Sequence, residues 1–145
     1  MFLGQYQHNL DNKGRLTIPA RYRDLLAEGA YVTQGFDQNL MVITVTTFEA
    51  ISQSVRHMSI TDSRARLLRR LLFSNGERVE LDQAGRILIP QFLRTAAGLD
   101  GEAIVVGVGD YFEIWSPEHW AEQTGRLQDA EANADLFSMF DISSA

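Results

Sequence analysis

Cysteine is absent from the 145 residues, so no disulfide and no thiolate metal site can be built, and a reducing compartment fits the chain. No apolar run approaches the roughly 20 residues that span a bilayer; the longest, near Ala103–Val108, has the length of a strand. The opening Met1–Tyr6 lacks a basic segment followed by a long apolar one, so no signal peptide is expected. The histidines His8, His57 and His119 share no i, i+4 spacing and have no cysteine partner, which argues against a metal site. There is no Gly-x-Ser-x-Gly elbow, Walker loop or His-Glu-x-x-His. Gly107-Val108-Gly109 lacks the third glycine of a nucleotide loop, because residue 112 is Phe. These gaps point away from an enzyme and leave no cofactor and no small-molecule substrate to expect.

Net positive charge is also missing. The formal charge is −6, which opposes non-specific binding to a polyanion. The distribution tells more than the sum. Residues 1–73 carry nine Lys or Arg against six Asp or Glu, and residues 74–145 carry four against thirteen. With 45% apolar and 22% charged residues the chain is otherwise an ordinary globular sequence, long enough for a real core.

What is present is a repetition. Asp11, Gly14, Arg15, Ile18 and Pro19 recur in order as Asp82, Gly85, Arg86, Ile89 and Pro90, at an offset of 71, about half the chain. Two similar halves usually pack about a pseudo-two-fold axis, so both copies can reach one edge of the molecule. A paired basic feature of that kind suits a partner with its own repeat, duplex DNA foremost.

Local chemistry gives each half the same plan. In the first, Phe2–Gln7 reads as a strand, Asp11–Arg15 as a turn with Gly14 at positive φ, and Arg15–Ile18 as a half-buried strand. Pro19 suits the first position of a short helix over Ala20–Leu26, with Tyr22, Leu25 and Leu26 inward and Gly29 beyond its end. Ala30–Thr33 and Leu40–Val45 form a hairpin. Thr46 or Thr47 caps a helix to about His57, and a second helix over Thr61–Phe73 sets Leu67, Leu68, Leu71 and Leu72 on one side. In the second half, Gly76–Glu80 and Arg86–Ile89 flank the second turn, Pro90 opens a helix to about Ala97, and Ala103–Val108 with Phe112–Trp115 form the hairpin. Ser116 caps a last helix with Pro117 at its first position. The expected division is 1–73, 74–128, and an acidic tail over 129–145 that is either a frayed helix or a segment ordered on assembly.

The segments Asp11–Pro19 and Asp82–Pro90 resemble the paired Asp-x-x-x-Arg motifs of the MraZ family, bacterial transcriptional regulators of the division and cell wall gene cluster. Met1–Tyr6 and Leu71–Asn75 also resemble that family. The resemblance implies a mainly β, α+β fold: an AbrB-like swapped-hairpin β-barrel built from the two pseudo-two-fold-related halves of one chain. It implies a ring-shaped homo-oligomer, cytoplasmic and nucleoid-associated, that represses by binding short direct repeats in the promoter of its own cluster. The family's binding residues map onto Arg15 and Arg86. Lys13 has no basic counterpart, since the matching residue is Ala84, so the two halves are not expected to contribute alike.

The residues support that reading on chemical grounds. A guanidinium can fork onto guanine O6 and N7 or onto a phosphate, and a stiff turn holds it at small entropic cost. Arg15 and Arg86 are the expected DNA contacts, with Lys13, Arg21, Arg23 and Arg94 as further phosphate contacts; for Arg21, Arg23 and Arg94 a solvated helix face is an equal alternative. Asp11, Gly14, Pro19, Asp82, Gly85 and Pro90 shape the turns, the aspartates lying behind the arginines and orienting them. The alternative for each arginine is a local ion pair with its own aspartate that only stiffens the turn. Arg64, Arg66, Arg69 and Arg70 form the densest basic cluster, but the interleaved leucines favour packing and contact with acidic groups of a neighbouring subunit. Phe73, Trp115 and Trp120 read as core or interface aromatics. Another function class stays open: an antitoxin-like protein-interaction module without specific DNA readout.

Overall fold

The computed structural model describes residues 1–142. The first half runs β1 (Gln5–Asn9), β2 (Arg15–Thr17), α1 (Ala20–Arg23, continued by a 3-10 turn over Asp24–Leu26), β3 (Ala30–Gln34), β4 (Leu40–Thr44), α2 (Val45–Arg56) and α3 (Ser63–Arg69, running into a π-helical turn over Arg70–Ser74). The second half runs β5 (Glu77–Val79), β6 (Arg86–Leu88), α4 (Gln91–Ala97), β7 (Glu102–Gly107), β8 (Tyr111–Trp115), α5 (Pro117–Leu127) and α6 (Ala130–Phe137).

All strand pairings are antiparallel and form two sheets. The larger has the order β1-β7-β8-β4-β3-β5. Each half keeps its own hairpin, β3–β4 or β7–β8, and the hairpins join at β4–β8, with Leu40 opposite Ile114 and Val42 opposite Phe112. The first strand of each half crosses to the other: β1 pairs with β7, and β5 with β3. Neither half therefore completes a sheet alone. The smaller sheet is a ribbon of β2 and β6, with Leu16 opposite Ile87, Arg15 opposite Leu88 and Thr17 opposite Arg86. The offset of 71 carries Leu16 onto Ile87, so the pseudo-two-fold axis passes between them.

Burial follows the alternation of the strands. Beneath the ribbon, Leu16, Ile18, Ile87 and Ile89 are buried with Val42, Phe112 and Ile114 of the large sheet in one core. Each such side chain stabilises the fold by about 1.5–3 kcal/mol relative to exposure. Phe2, Tyr22 and Phe112 pack ring against ring, and the Tyr22 hydroxyl donates to the Leu3 carbonyl at 2.6 Å. On the opposite side of the large sheet, Met41 and Ile43 meet Val55 of α2 and Leu72 of the π turn in a smaller cluster.

Several local expectations shift. The first strand begins at Gln5, and Phe2 instead makes an isolated bridge to Gly109. The α2 cap is Thr44, whose hydroxyl accepts from the Thr47 N–H at 3.3 Å, in place of Thr46 or Thr47. Pro19 and Pro90 stand one residue before their helices, with ψ of 136° and 148°, whereas Pro117 lies inside α5 behind the Ser116 cap. Leu25 does not point inward, because the 3-10 continuation turns it out of the α-helical register; it is exposed while Tyr22 and Leu26 are buried. Leu67 likewise faces out, since the buried line through α3 and its π turn is Ala65 and Leu72.

Candidate nucleic-acid interface

The two motif turns are nearly superimposable in their hydrogen bonds. In the first, the Asp11 carboxylate accepts from the backbone N–H of Lys13 at 3.0 Å and of Arg15 at 2.8 Å. Its other oxygen accepts from Arg15 Nε at 2.7 Å. In the second, Asp82 accepts from the N–H of Ala84 at 3.0 Å and of Arg86 at 2.9 Å, and from Arg86 Nε at 2.9 Å. Gly14 and Gly85 close the turns at φ of 88° and 76°, a region that side chains with a Cβ rarely adopt. The Arg15 N–H, then the Arg15 side chain and the Lys13 N–H, hold Asp11 below the ordinary carboxylate range against the opposing effect of partial burial. The Arg86 N–H, followed by the Arg86 side chain, does the same for Asp82.

Each aspartate thus stands behind its arginine and pins Nε. The local ion pair is present in both turns. Arg15 makes no hydrogen bond through its outer nitrogens among the described residues, which leaves a two-pronged donor free. Arg86 Nη1 lies 4.0 Å from Asp11 Oδ2, so the second arginine also reaches across the axis to the first turn.

Because Leu16 and Ile87 point into the core, their neighbours on the ribbon all face outward: Arg15 and Thr17 on β2, Arg86 and Leu88 on β6. The two arginines are about equally exposed, at 35% and 31% of the side chain. They share one surface, related by the axis. The same alternation presents two residues that motif reasoning passed over, Thr17 and the exposed Leu88; the polar–apolar pattern of Arg15–Ile18 and its repeat was the signal for both.

Arg23 and Arg94 occupy a different kind of position. Arg23 Nε donates to the Ile18 carbonyl at 3.0 Å, and Arg94 Nε to the Ile89 carbonyl at 3.1 Å. Each guanidinium then lies against the opposite half's turn glycine, Arg94 on Gly14 and Arg23 on Gly85. A Cβ added to Gly14 would come within 2.8 Å of both Arg94 Cζ and the Ile89 carbonyl oxygen. The Ile89 N–H donates to the Gly14 carbonyl at 2.8 Å, and the Ile18 N–H to the Gly85 carbonyl at 2.9 Å. The turns are therefore clamped to each other across the axis. Lys13 and Arg21 are exposed, and Arg21 Nη1 donates to the Tyr6 hydroxyl at 3.3 Å. Partial burial, then the charge of Arg23, lowers the pKa of His8 and disfavours its charged form. Among the described residues, no three His, Asp or Glu side chains are grouped to hold a metal ion.

The two-half architecture has relatives. The sequence profile described as "MraZ protein, putative antitoxin-like" matches residues 1–71 and again residues 72–141. The chain belongs to the MraZ family. It is 46% identical over 138 residues to the "Transcriptional regulator MraZ" of Roseiflexus castenholzii, covering 95% of this chain and 94% of that one. The protein of the same name from Thermomicrobium roseum is 47% identical over 127 residues, covering 88% and 89%. That of Herpetosiphon aurantiacus is 42% identical over 143 residues, covering 98% and 100%. MraZ proteins are transcriptional regulators and not enzymes, and this chain has their two repeats in an α+β fold of antiparallel sheets. Among the described residues, no helix is long and apolar enough to cross a membrane.

Proposed function

We propose that this MraZ protein is a sequence-specific DNA-binding repressor that acts at short direct repeats in the promoter of its own division and cell wall cluster, in the cytoplasm at the nucleoid. One observation carries the reading: a two-stranded ribbon whose solvent face presents Arg15 and Arg86 about an axis, each backed by its own carboxylate. A major groove about 12 Å wide admits a two-stranded ribbon, and an arginine fork matches guanine O6 and N7 there. The aspartates accept at Nε, which leaves the outer nitrogens of Arg15 and Nη2 of Arg86 for the base. Lys13 and Arg21 are exposed and would add phosphate contacts. Arg23 and Arg94 act first by holding the turns, with any phosphate contact secondary.

The ribbon would sit on the large sheet as the closing face of the swapped-hairpin barrel. The halves divide at 73/74, with 129–145 as an appendage. One protomer brings few cations and a net charge of −6 to DNA. A ring-shaped homo-oligomer offsets this, because each subunit bound raises the effective concentration of the next ribbon at the next repeat. The test is nuclease protection of the DNA upstream of the chain's own gene. Regularly spaced protection by the native protein, absent with Arg15→Ala/Arg86→Ala, supports the proposal. Equal protection by both proteins refutes it. The exposed apolar residues after α5 favour a second reading, a protein-interaction module, which predicts a protein captured in the absence of DNA and no protected repeats.

A further inference from the structure

The aspartates and arginines of the motif explain the frame of the ribbon, but not what stands beside each arginine. On the solvent face every arginine has one partner directly across the strand pair, Leu88 opposite Arg15 and Thr17 opposite Arg86. Partners of this kind have Cβ atoms about 4.5–5.5 Å apart. Leu88 and Thr17 are equivalents in the repeat, at the offset of 71, yet one is wholly apolar and the other carries a hydroxyl. Leu88 is also the more prominent of the two: it is 57% exposed, whereas Thr17 is half-buried.

A lone leucine on a protein surface is ordinary. The place of Leu88 is not, because it is across from Arg15 and two residues along β6 from Arg86, on the same outward face as both. A side chain there that cannot donate a hydrogen bond gains nothing from a phosphate. The exchange of polar for apolar is also repeated nearby: Phe92, 50% exposed, stands where the first half has the exposed Arg21. Base edges in the major groove carry donors, acceptors and one prominent apolar group, the C5 methyl of thymine. A guanidinium with an aliphatic side chain next to it therefore matches a guanine with a thymine next to it.

We propose that Leu88 is a specificity-determining residue, packing on the C5 methyl of a thymine that adjoins the guanine taken by Arg15; this rests on the DNA-reading role proposed above and names a base for it. Thr17 has the corresponding place beside Arg86. Its hydroxyl both donates and accepts, so it suits any base edge. The base beside the second guanine is then left open, and the demand for a methyl group falls on one side of the ribbon only.

Gel-shift titration at fixed salt tests this with the duplex upstream of the chain's own gene, made once with thymine and once with deoxyuridine at every thymine. Deoxyuridine lacks only the C5 methyl and keeps each hydrogen-bonding group. The native protein is expected to bind the thymine duplex at least about fourfold more tightly, the worth of one buried methyl-sized group. Leu88→Ser should bring that ratio close to one, while Thr17→Ser keeps it. Leu88 is exposed, so its serine variant should fold as the native chain does. Any effect of the missing methyls on DNA stiffness is common to the three proteins and cancels in the comparison. Replacing thymines one at a time, with the native protein alone, should place the loss at a thymine beside a guanine. The inference is overturned if native and Leu88→Ser proteins show the same ratio, if Thr17→Ser abolishes it instead, or if the native loss falls on no thymine that adjoins a guanine. Tight native binding that Arg15→Ala/Arg86→Ala abolishes, with no preference for thymine over deoxyuridine, removes the role of Leu88 and leaves the DNA reading standing. A native protein that does not bind the thymine duplex defeats the DNA reading itself.

Discussion

Arg15 and Arg86 differ from ordinary surface arginines in having one nitrogen already committed. Asp11 and Asp82 fix Nε, so each side chain offers its remaining donors with little freedom left to lose. Arg15→Ala and Arg86→Ala are each expected to weaken specific binding by about 1–3 kcal/mol, and the double variant to lose the promoter complex at unchanged oligomer mass, read by gel shift beside light scattering. Arg15→Lys keeps the charge but not the fork, and should not restore the preference. Lys13→Ala should instead lower the salt slope by about 0.9 with sequence preference kept, as loss of one phosphate contact does. The aspartates give a pH signature. Their folded pKa values lie below the ordinary value of about 3.9. Their stabilisation is complete above that value and is lost as pH falls through the folded values. Asp11→Asn/Asp82→Asn should be less stable than the native protein at pH 7 and lose less on acidification, measured by urea unfolding at neutral and acidic pH. The pairing of each arginine with its aspartate was legible from spacing alone. The seats of Arg23 and Arg94 were not, because each rests on a glycine of the other half, although both arginines recur at the motif's own offset.

At the scale of elements, the turns owe their shape to glycine in two separable ways. Gly101 also has positive φ, at 77°, but a Cβ there meets nothing within 4 Å. Gly101→Ala should cost only the left-handed backbone penalty, about 1–2 kcal/mol. Gly14→Ala adds a collision with the Ile89 carbonyl, which accepts from Arg94 Nε while the Ile89 N–H donates to the Gly14 carbonyl, and should cost clearly more and weaken DNA binding besides. Thermal melts of the two variants give the comparison. Most elements could be read from the chain: both hairpins, the helices behind Pro19, Pro90 and Ser116, and the turn at Gly109-Asp110 lie where local chemistry puts them. What could not be read was partnership. Nothing local in Gln5–Asn9 says that it pairs with Glu102–Gly107 and not with its own hairpin, because an edge strand's pattern records which face is buried and not which neighbour it meets. The π turn after Arg69 escaped for a related reason: its leucines fit a continuous helix equally well, and only packing against β3 decides.

For the whole molecule, the exchange of first strands makes folding a joint act. Fragments 1–75 and 76–145, made separately, should each lack the fold, and mixing them should restore it, because β1 and β5 find their partners only across the divide. Circular dichroism of the fragments alone and combined measures this; an independently folded fragment would contradict the pairing. Joining both halves in one polypeptide has a further result. Two identical subunits must show DNA two identical faces and so favour a palindrome. Here Thr17 stands across the axis from Leu88, Lys13 from Ala84 and Arg21 from Phe92, all outside the shared Asp–Gly–Arg frame. One polypeptide lets the two faces differ while the frame that aims them stays matched. The ribbon therefore has a left and a right, and under the DNA-reading role proposed above its handed contacts would impose a direction of travel on the sequence read.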